Sequence, residues 1–202
     1  MRKTVNKTTK LAGTAMLAAL STVLMFFSFN VPLMPSFIKM DFSELPALVA
    51  SFAYGPIYGV AVCAIKNLIN LMATTTGGVG ELSNFILGVL FVVPAGLIYS
   101  KNTTKKGAII GAFAGAVVMA VCSVVTNYYV VYPVYTAFMP MEAIMGMYNA
   151  ILTGIHMPNI TNLMQALLIF NMPFTFIKGI IIFIISTAIY GSLSFIMPKK
   201  AK

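Results

Sequence analysis

Four stretches decide what this chain can become. Leu11–Phe29, Phe85–Tyr99, Ala108–Val125 and Phe174–Met197 are apolar almost without interruption. The hydrocarbon core of a bilayer is roughly 30 Å thick and takes about 20 helical residues to cross, so each run is long enough, or nearly so. Of 202 residues, 59% are hydrophobic and 8% charged, against roughly 25% charged in an ordinary soluble domain. A chain this poor in charge cannot cover itself with a polar surface. Period-2 alternation, the mark of a membrane barrel, is absent. The reading is an all-α integral membrane protein, with residues 1–202 as a single membrane domain.

The net charge of +9 is distributed in a telling way. Ten of the thirteen basic residues fall in three clusters: Arg2, Lys3, Lys7 and Lys10; Lys101, Lys105 and Lys106; Lys199, Lys200 and Lys202. Each flanks an apolar run, as cytoplasmic ends do under the positive-inside rule. The four acids, Asp41, Glu44, Glu81 and Glu142, lie elsewhere. The charge therefore reads as topology in a lipid bilayer and not as a nucleic-acid surface. A basic face on anionic lipid is a blander form of the same reading. The basic, then apolar, N-terminus also raises a signal peptide, but the run exceeds the usual h-region of roughly 7–15 residues. It has no clear cleavage site, so a retained first helix is expected. Cys63 and Cys122 are isolated in apolar runs and read as inert core thiols.

Parity gives the span count. If the three basic clusters are all cytoplasmic, an even number of spans separates each pair. The region 42–73 is apolar but broken at Gly55-Pro56, where proline stops or kinks a helix. Two short spans there complete a set of six transmembrane helices with both termini cytoplasmic: about 11–29, 43–54, 57–73, 81–100, 107–131 and 165–197. One long kinked helix is the alternative and breaks parity. Three loops then face outside, and the long one, about 132–164, has apolar stretches that suit a surface helix. This places the chain in the cell (plasma) membrane as a multi-pass protein.

Polar groups at membrane depth are costly and tend to face a cavity or a partner. Lys66, Asn67 and Asn70 lie near one face of the third span. Glu81 and Asn84 share a face of the fourth, Ser123 and Asn127 of the fifth. Asn171, Thr175 and Lys178 form one stripe down the sixth. Each amide can instead simply bridge helices, Lys66 can snorkel or pair structurally, and Glu81 can serve a helix start. Lys178, however, sits well inside its run. Together these groups point to a polar pocket open to the outside. Tyr128, Phe85, Phe174 and methionines would supply apolar and stacking surface, as in a typical small-ligand site.

Several classes are excluded or disfavoured. No GxxxxGK[ST] loop is present for ATP. The single histidine, His156, has no ligand set around it, so no metal site is expected, and no serine sits in a recognisable nucleophile elbow. No catalytic residue and no cofactor are assigned, and an enzyme is not expected. Small-residue ladders on the first helix (Ala15 and Ala19) and the fifth (Gly107, Gly111, Gly115) allow close helix approach. The fifth suits internal packing; the first suits either that or another membrane subunit.

The segments KMDFSELPAL (39–48), YGPIYGV (54–60), IKNLI (65–69), GELSNFILGVLFVVPAGLIY (80–99), NYYVVYPVY (127–135) and PFTFIKG (173–179) together resemble the riboflavin-specific S-component of energy-coupling factor transporters. The match runs nearly the whole chain in order. The resemblance implies six helices, a vitamin pocket near the outer face, and binding of riboflavin, or its phosphate FMN, as transported ligand without chemistry. It implies a membrane T-component and two cytoplasmic ATPase subunits as partners, with Ala15 and Ala19 docking on the T-component. The flavin-contacting set carries over to Glu81, Asn127 and Lys178; Thr175 stands where the family often has asparagine. Asn84 and Asn171 belong to the same expected pocket, and Met40 and Asp41 to a gate formed by 39–42. Glu81 and Lys178 are expected to offset each other's charge in the empty site. An S-component for another vitamin, such as thiamine, a ligand-free assembly protein and a self-powered carrier remain the alternatives. A deep lysine suits a cationic ligand poorly.

Overall fold

A computed structural model describes residues 6–193. Arg2, Lys3, the cluster Lys199, Lys200 and Lys202, and the end of the sixth expected span lie outside them. The chain opens with α1 (Lys7–Phe26). Two short strands follow, β1 (Phe29–Asn30) and β2 (Lys39–Met40), paired antiparallel with Phe29 opposite Met40. They close a strap over residues 27–43. Helices α2 (Glu44–Tyr54) and α3 (Pro56–Asn70) are separated at Gly55, whose φ of 112° only glycine adopts easily. Pro56 then occupies the first turn of α3, where its missing N–H costs nothing. The break expected at Gly55-Pro56 is therefore a helix boundary.

Helix α4 (Val79–Lys101) packs along α5 (Lys105–Thr126), whose start is capped by Thr104 Oγ1 accepting from the Gly107 N–H at 3.2 Å. A π turn, Asn127–Val131, leads into α6 (Tyr132–Tyr135). Next come α7 (Met141–Gly154), α8 (Leu163–Ala166), a second π turn (Leu167–Asn171) and α9 (Met172–Leu193). The segment 132–164, expected as a loop, is thus largely helical. Its start prolongs the fifth span, α7 is the surface helix it was expected to carry, and α8 already begins the last span.

Both π turns have the same chemical cause. Pro133 and Pro173 lack an N–H, so the carbonyls of Tyr129 and Ile169 would go unpaired in a regular α-helix. The chain widens instead. The Tyr132 N–H bonds to the Asn127 carbonyl and the Met172 N–H to the Leu167 carbonyl, five residues back. Such bulges concentrate at functional sites, and here each carries one buried asparagine, Asn127 or Asn171.

Five helical segments are long and apolar enough to cross a membrane: Lys7–Phe26, Pro56–Ala73, Val79–Lys101, Lys105–Tyr135 and Leu163–Gly191. Helix α2 differs from the expectation of a span. Its 11 residues reach about 16 Å at 1.5 Å per residue, and all but Leu45 and Tyr54 are buried. It is a core helix enclosed by α1, α3 and α4 and touching α9. The glycine ladder of α5 is spent internally: a Cβ on Gly111 would stand 2.6 Å from the Ala95 carbonyl oxygen of α4, and one on Gly115 2.5 Å from that of Phe91. By contrast, Ala15 and Ala19 of α1 are exposed, beside exposed Leu11, Met16 and Leu20. One apolar core, with Leu48, Val62, Phe91, Tyr99 and Ile182, fills the α1–α5 and α9 bundle. A second, aromatic one, with Tyr132, Tyr135, Tyr148 and Phe170, joins the π turns to α7.

Candidate functional site

Between these two cores lies an open-mouthed cleft with an apolar wall and a few convergent polar groups, the usual make-up of a small-ligand site. Met119 and Leu87 line one end; Val131, Tyr132 and Tyr135 line the other. The polar groups converge from five helical elements, among them α2 with Glu44. Helix α4 supplies Ser83 and Asn84, the first π turn Asn127, the second Asn171, and α9 Thr175 and Lys178. The expected stripe 171, 175, 178 therefore does face one space. It survives the π turn because that turn ends at Asn171 and α9 is regular beyond it.

Two asparagines are prepared differently. Asn171 belongs to a closed ring: its Oδ1 accepts from the Tyr148 hydroxyl at 2.6 Å, its Nδ2 donates to the Tyr132 hydroxyl at 3.1 Å, and the two tyrosine hydroxyls bond each other. Its amide orientation is fixed by these partners. Burial, the largest cause, pushes the Tyr148 phenol well above its ordinary value, so it stays a proton donor. Asn127 is looser. Its Oδ1 accepts from Ser83 Oγ at 3.4 Å, and its NH₂ has no protein acceptor among the described residues.

Lys178 is the buried cation of the cleft. Its Nζ stands 3.0 Å from Asp41 Oδ2 and 3.0 Å from Glu44 Oε2. With two donors engaged, a third remains for the cleft. Asp41 is held in turn by the Ser43 N–H at 2.9 Å and by the Ser43 hydroxyl, and Asn84 Nδ2 lies 3.4 Å away. The expected Glu81–Lys178 pair is not formed. Glu81 sits in the first turn of α4 and turns to the α3–α4 loop instead. Its Oε1 accepts from Asn70 Nδ2 at 2.8 Å, its Oε2 from Thr74 Oγ1 at 2.9 Å and Thr76 Oγ1 at 3.4 Å. Its neighbours Gly80 and Ser83, not its carboxylate, line the cleft. Asp41 stands behind Lys178, and Met40 is a buried residue of the strap itself; neither lines the space.

The mouth is covered by the strap. Phe37, Ile38 and Lys39 line the cleft, and Phe37 packs on Tyr135 at 5.3 Å and edge-on to Tyr148 at 6.1 Å between ring centroids. The cover thus begins earlier in the chain than the expected gate of 39–42. Of the expected aromatic surface, Phe174 lines the cleft. Phe85 packs against the helical core instead, and Tyr128, 37% exposed, points away. Sequence reasoning missed Glu44, Ser83, Phe37, Tyr132, Tyr135 and Tyr148. For Glu44 a signal existed: two lysines at membrane depth require carboxylates, and the chain has four acids to offer.

Comparison with known proteins follows the same outline. Residues 9–190 match the family model of the ECF transporter, substrate-specific component. The chain is 32% identical over 192 residues to the riboflavin transporter FmnP of Bacillus subtilis (strain 168), covering 93% of each. It is 31% identical over 186 residues to the riboflavin transporter RibU of Staphylococcus aureus (strain TCH60), covering 92% of this chain and 90% of that one. A solved S component of a bacterial ECF transporter superposes with a TM-score of 0.72 at 31% identity, covering 94% of this chain and 98% of the other.

Proposed function

Because the chain belongs to the family of ECF-transporter substrate-specific components, a family of multi-pass transport subunits and not of enzymes, we propose that it is the riboflavin-binding subunit of such an importer. The similarity to two riboflavin transporters supports this cargo. The single observation that carries it is the lining of the cleft. The buried ammonium of Lys178 and the carboxylate of Glu44, three asparagines, a serine and a threonine converge, with Lys39 at the strap, in a space otherwise walled mainly by Phe37, Leu87, Met119, Tyr132, Tyr135 and Phe174. The pyrimidine edge of a flavin alternates acceptor, donor, acceptor. Lys178 donates to an acceptor of that edge, while the unengaged amide of Asn127 and the pre-set amide of Asn171 both donate and accept. Asn84 and Thr175 complete the polar wall, and the aromatic side chains cover the ring faces. Glu81 acts one step removed, by tying down the Thr74–Gly78 loop at the mouth; Asp41 holds Lys178, and Met40 belongs to the strap.

In this reading residues 1–202 form one membrane domain. The five long helices and the short α2 make six membrane-embedded helices with both termini cytoplasmic and the cleft toward the outside. A T-component and two ATPase subunits supply the energy, and the exposed Ala15–Ala19 face of α1 is where the T-component docks. Titrating riboflavin into flavin-free protein in detergent tests the cargo. Saturable quenching of flavin fluorescence at one site per chain is expected. Folded protein with no saturable response overturns riboflavin as the cargo.

A further inference from the structure

A closed set of four charges runs from the cleft wall, which holds Lys178 and Glu44, to Asp41 and Lys66 behind it. Lys66 of α3 is fully buried and does not line the cleft. Its Nζ is 2.7 Å from Glu44 Oε1, while the other oxygen of Glu44, Oε2, is 3.0 Å from Lys178. Glu44 is thus a bridge between two ammonium groups. Ser43 completes the circuit, accepting from Lys66 Nζ at 2.5 Å and donating to Asp41, which returns to Lys178. The groups facing this set come from every neighbouring element. Helix α3 adds the buried Cys63 beside Lys66; α4 adds the neutral amide of Asn84; α1 adds Ser21, whose hydroxyl bonds the Ser43 carbonyl at 2.5 Å.

Counting charge explains the arrangement. Asp41 and Glu44 around Lys178 alone sum to −1, and a net charge in a water-poor interior is costly unless paired. Lys66 brings the sum to zero. We propose that Lys66 and Glu44 are positioning residues that make Lys178 a charge-balanced hydrogen-bond donor, fitting the cleft to an uncharged ring. This rests on the reading that Lys178 reaches the cargo. Lys66 acts from behind the wall, while Glu44 stands in the wall beside Lys178.

The inference predicts that two single substitutions weaken the site and that their combination restores it. Lys66→Met leaves the set at −1 and Glu44→Gln leaves it at +1, each an unbalanced charge in a water-poor interior. The double variant Lys66→Met/Glu44→Gln returns to zero.

The test measures, in detergent at one neutral pH, the ligand-free melting temperature of the parent and the three variants and the riboflavin Kd of the fraction of each that binds. Lys66→Met and Glu44→Gln are each expected to raise that Kd by about tenfold or more, and the double variant to regain most of the lost affinity. Melting temperatures should follow the same order, with the double variant above both singles. Single variants whose Kd equals the parent's, or a double variant worse than both, overturn the inference. If the parent does not bind riboflavin at all, the cargo reading fails by itself, and the order of melting temperatures still decides the charge balance.

Discussion

Replacing Lys178 by methionine, which keeps the stem and removes the ammonium, has consequences that can be worked from the geometry. Two carboxylates lie 3.0 Å from its Nζ, and the lysine side chain is 11% exposed. Removing one partner of a buried ion pair costs roughly 3–5 kcal/mol, because the other is left uncompensated. Here Lys66 still holds Glu44, while Ser43 and Asn84 still donate to Asp41. The loss of folding stability should therefore fall near the lower end, about 3 kcal/mol. Binding loses a charge-assisted hydrogen bond, about 1.5–3 kcal/mol, which corresponds to an affinity about 10- to 150-fold weaker. Fluorescence titration separates the two effects. A destabilised but correctly built site lowers the fraction of protein that binds, whereas a lost donor raises the Kd of the fraction that does. An unchanged Kd in Lys178→Met would refute the role given to Lys178, whatever the change in yield.

Other expectations follow from particular contacts. Tyr148→Phe removes the donor to Asn171 Oδ1 and leaves that buried acceptor short; unfolding in detergent should show a loss of about 1–3 kcal/mol, with weaker riboflavin binding as the amide loses its fixed orientation. Gly115→Ala puts a Cβ 2.5 Å from the Phe91 carbonyl oxygen, so α4 and α5 must part; thermal melting should report a loss of about 1–3 kcal/mol. Ala19→Leu changes an exposed position of α1. Riboflavin affinity in detergent should be unchanged while uptake by cells falls, and uptake at the parent's level would argue against docking on that face.

Much of the architecture was legible because lipid imposes it. Long apolar runs have few alternatives to helices, and the Gly55-Pro56 break announces itself by the backbone freedom of one residue and the missing donor of the next. The stripe Asn171, Thr175, Lys178 was legible from helical spacing alone. What lay beyond reach was pairing across distance. Which carboxylate meets Lys178 depends on how the start of α2 packs against α9, 137 residues away in the case of Asp41. Glu81 was the nearer guess because its helix also supplies Asn84, but one turn of offset sends its carboxylate to the Thr74 loop. The π turns left a trace only in Pro133 and Pro173, and that trace does not say whether a helix will widen, kink or end. Tyr148 had no signal as a site residue, since a surface helix in 132–164 shows nothing of what it packs on until its Ile144, Tyr148, Leu152 face is seen buried.

The most direct test is a structure of the riboflavin-saturated protein. The account predicts the flavin ring inside the cleft, with the Lys178 ammonium and the Asn127 amide on its pyrimidine edge and Asp41 and Glu44 still holding the lysine. A ring bound outside that cleft, or one inside it with Lys178 turned away, would contradict the account.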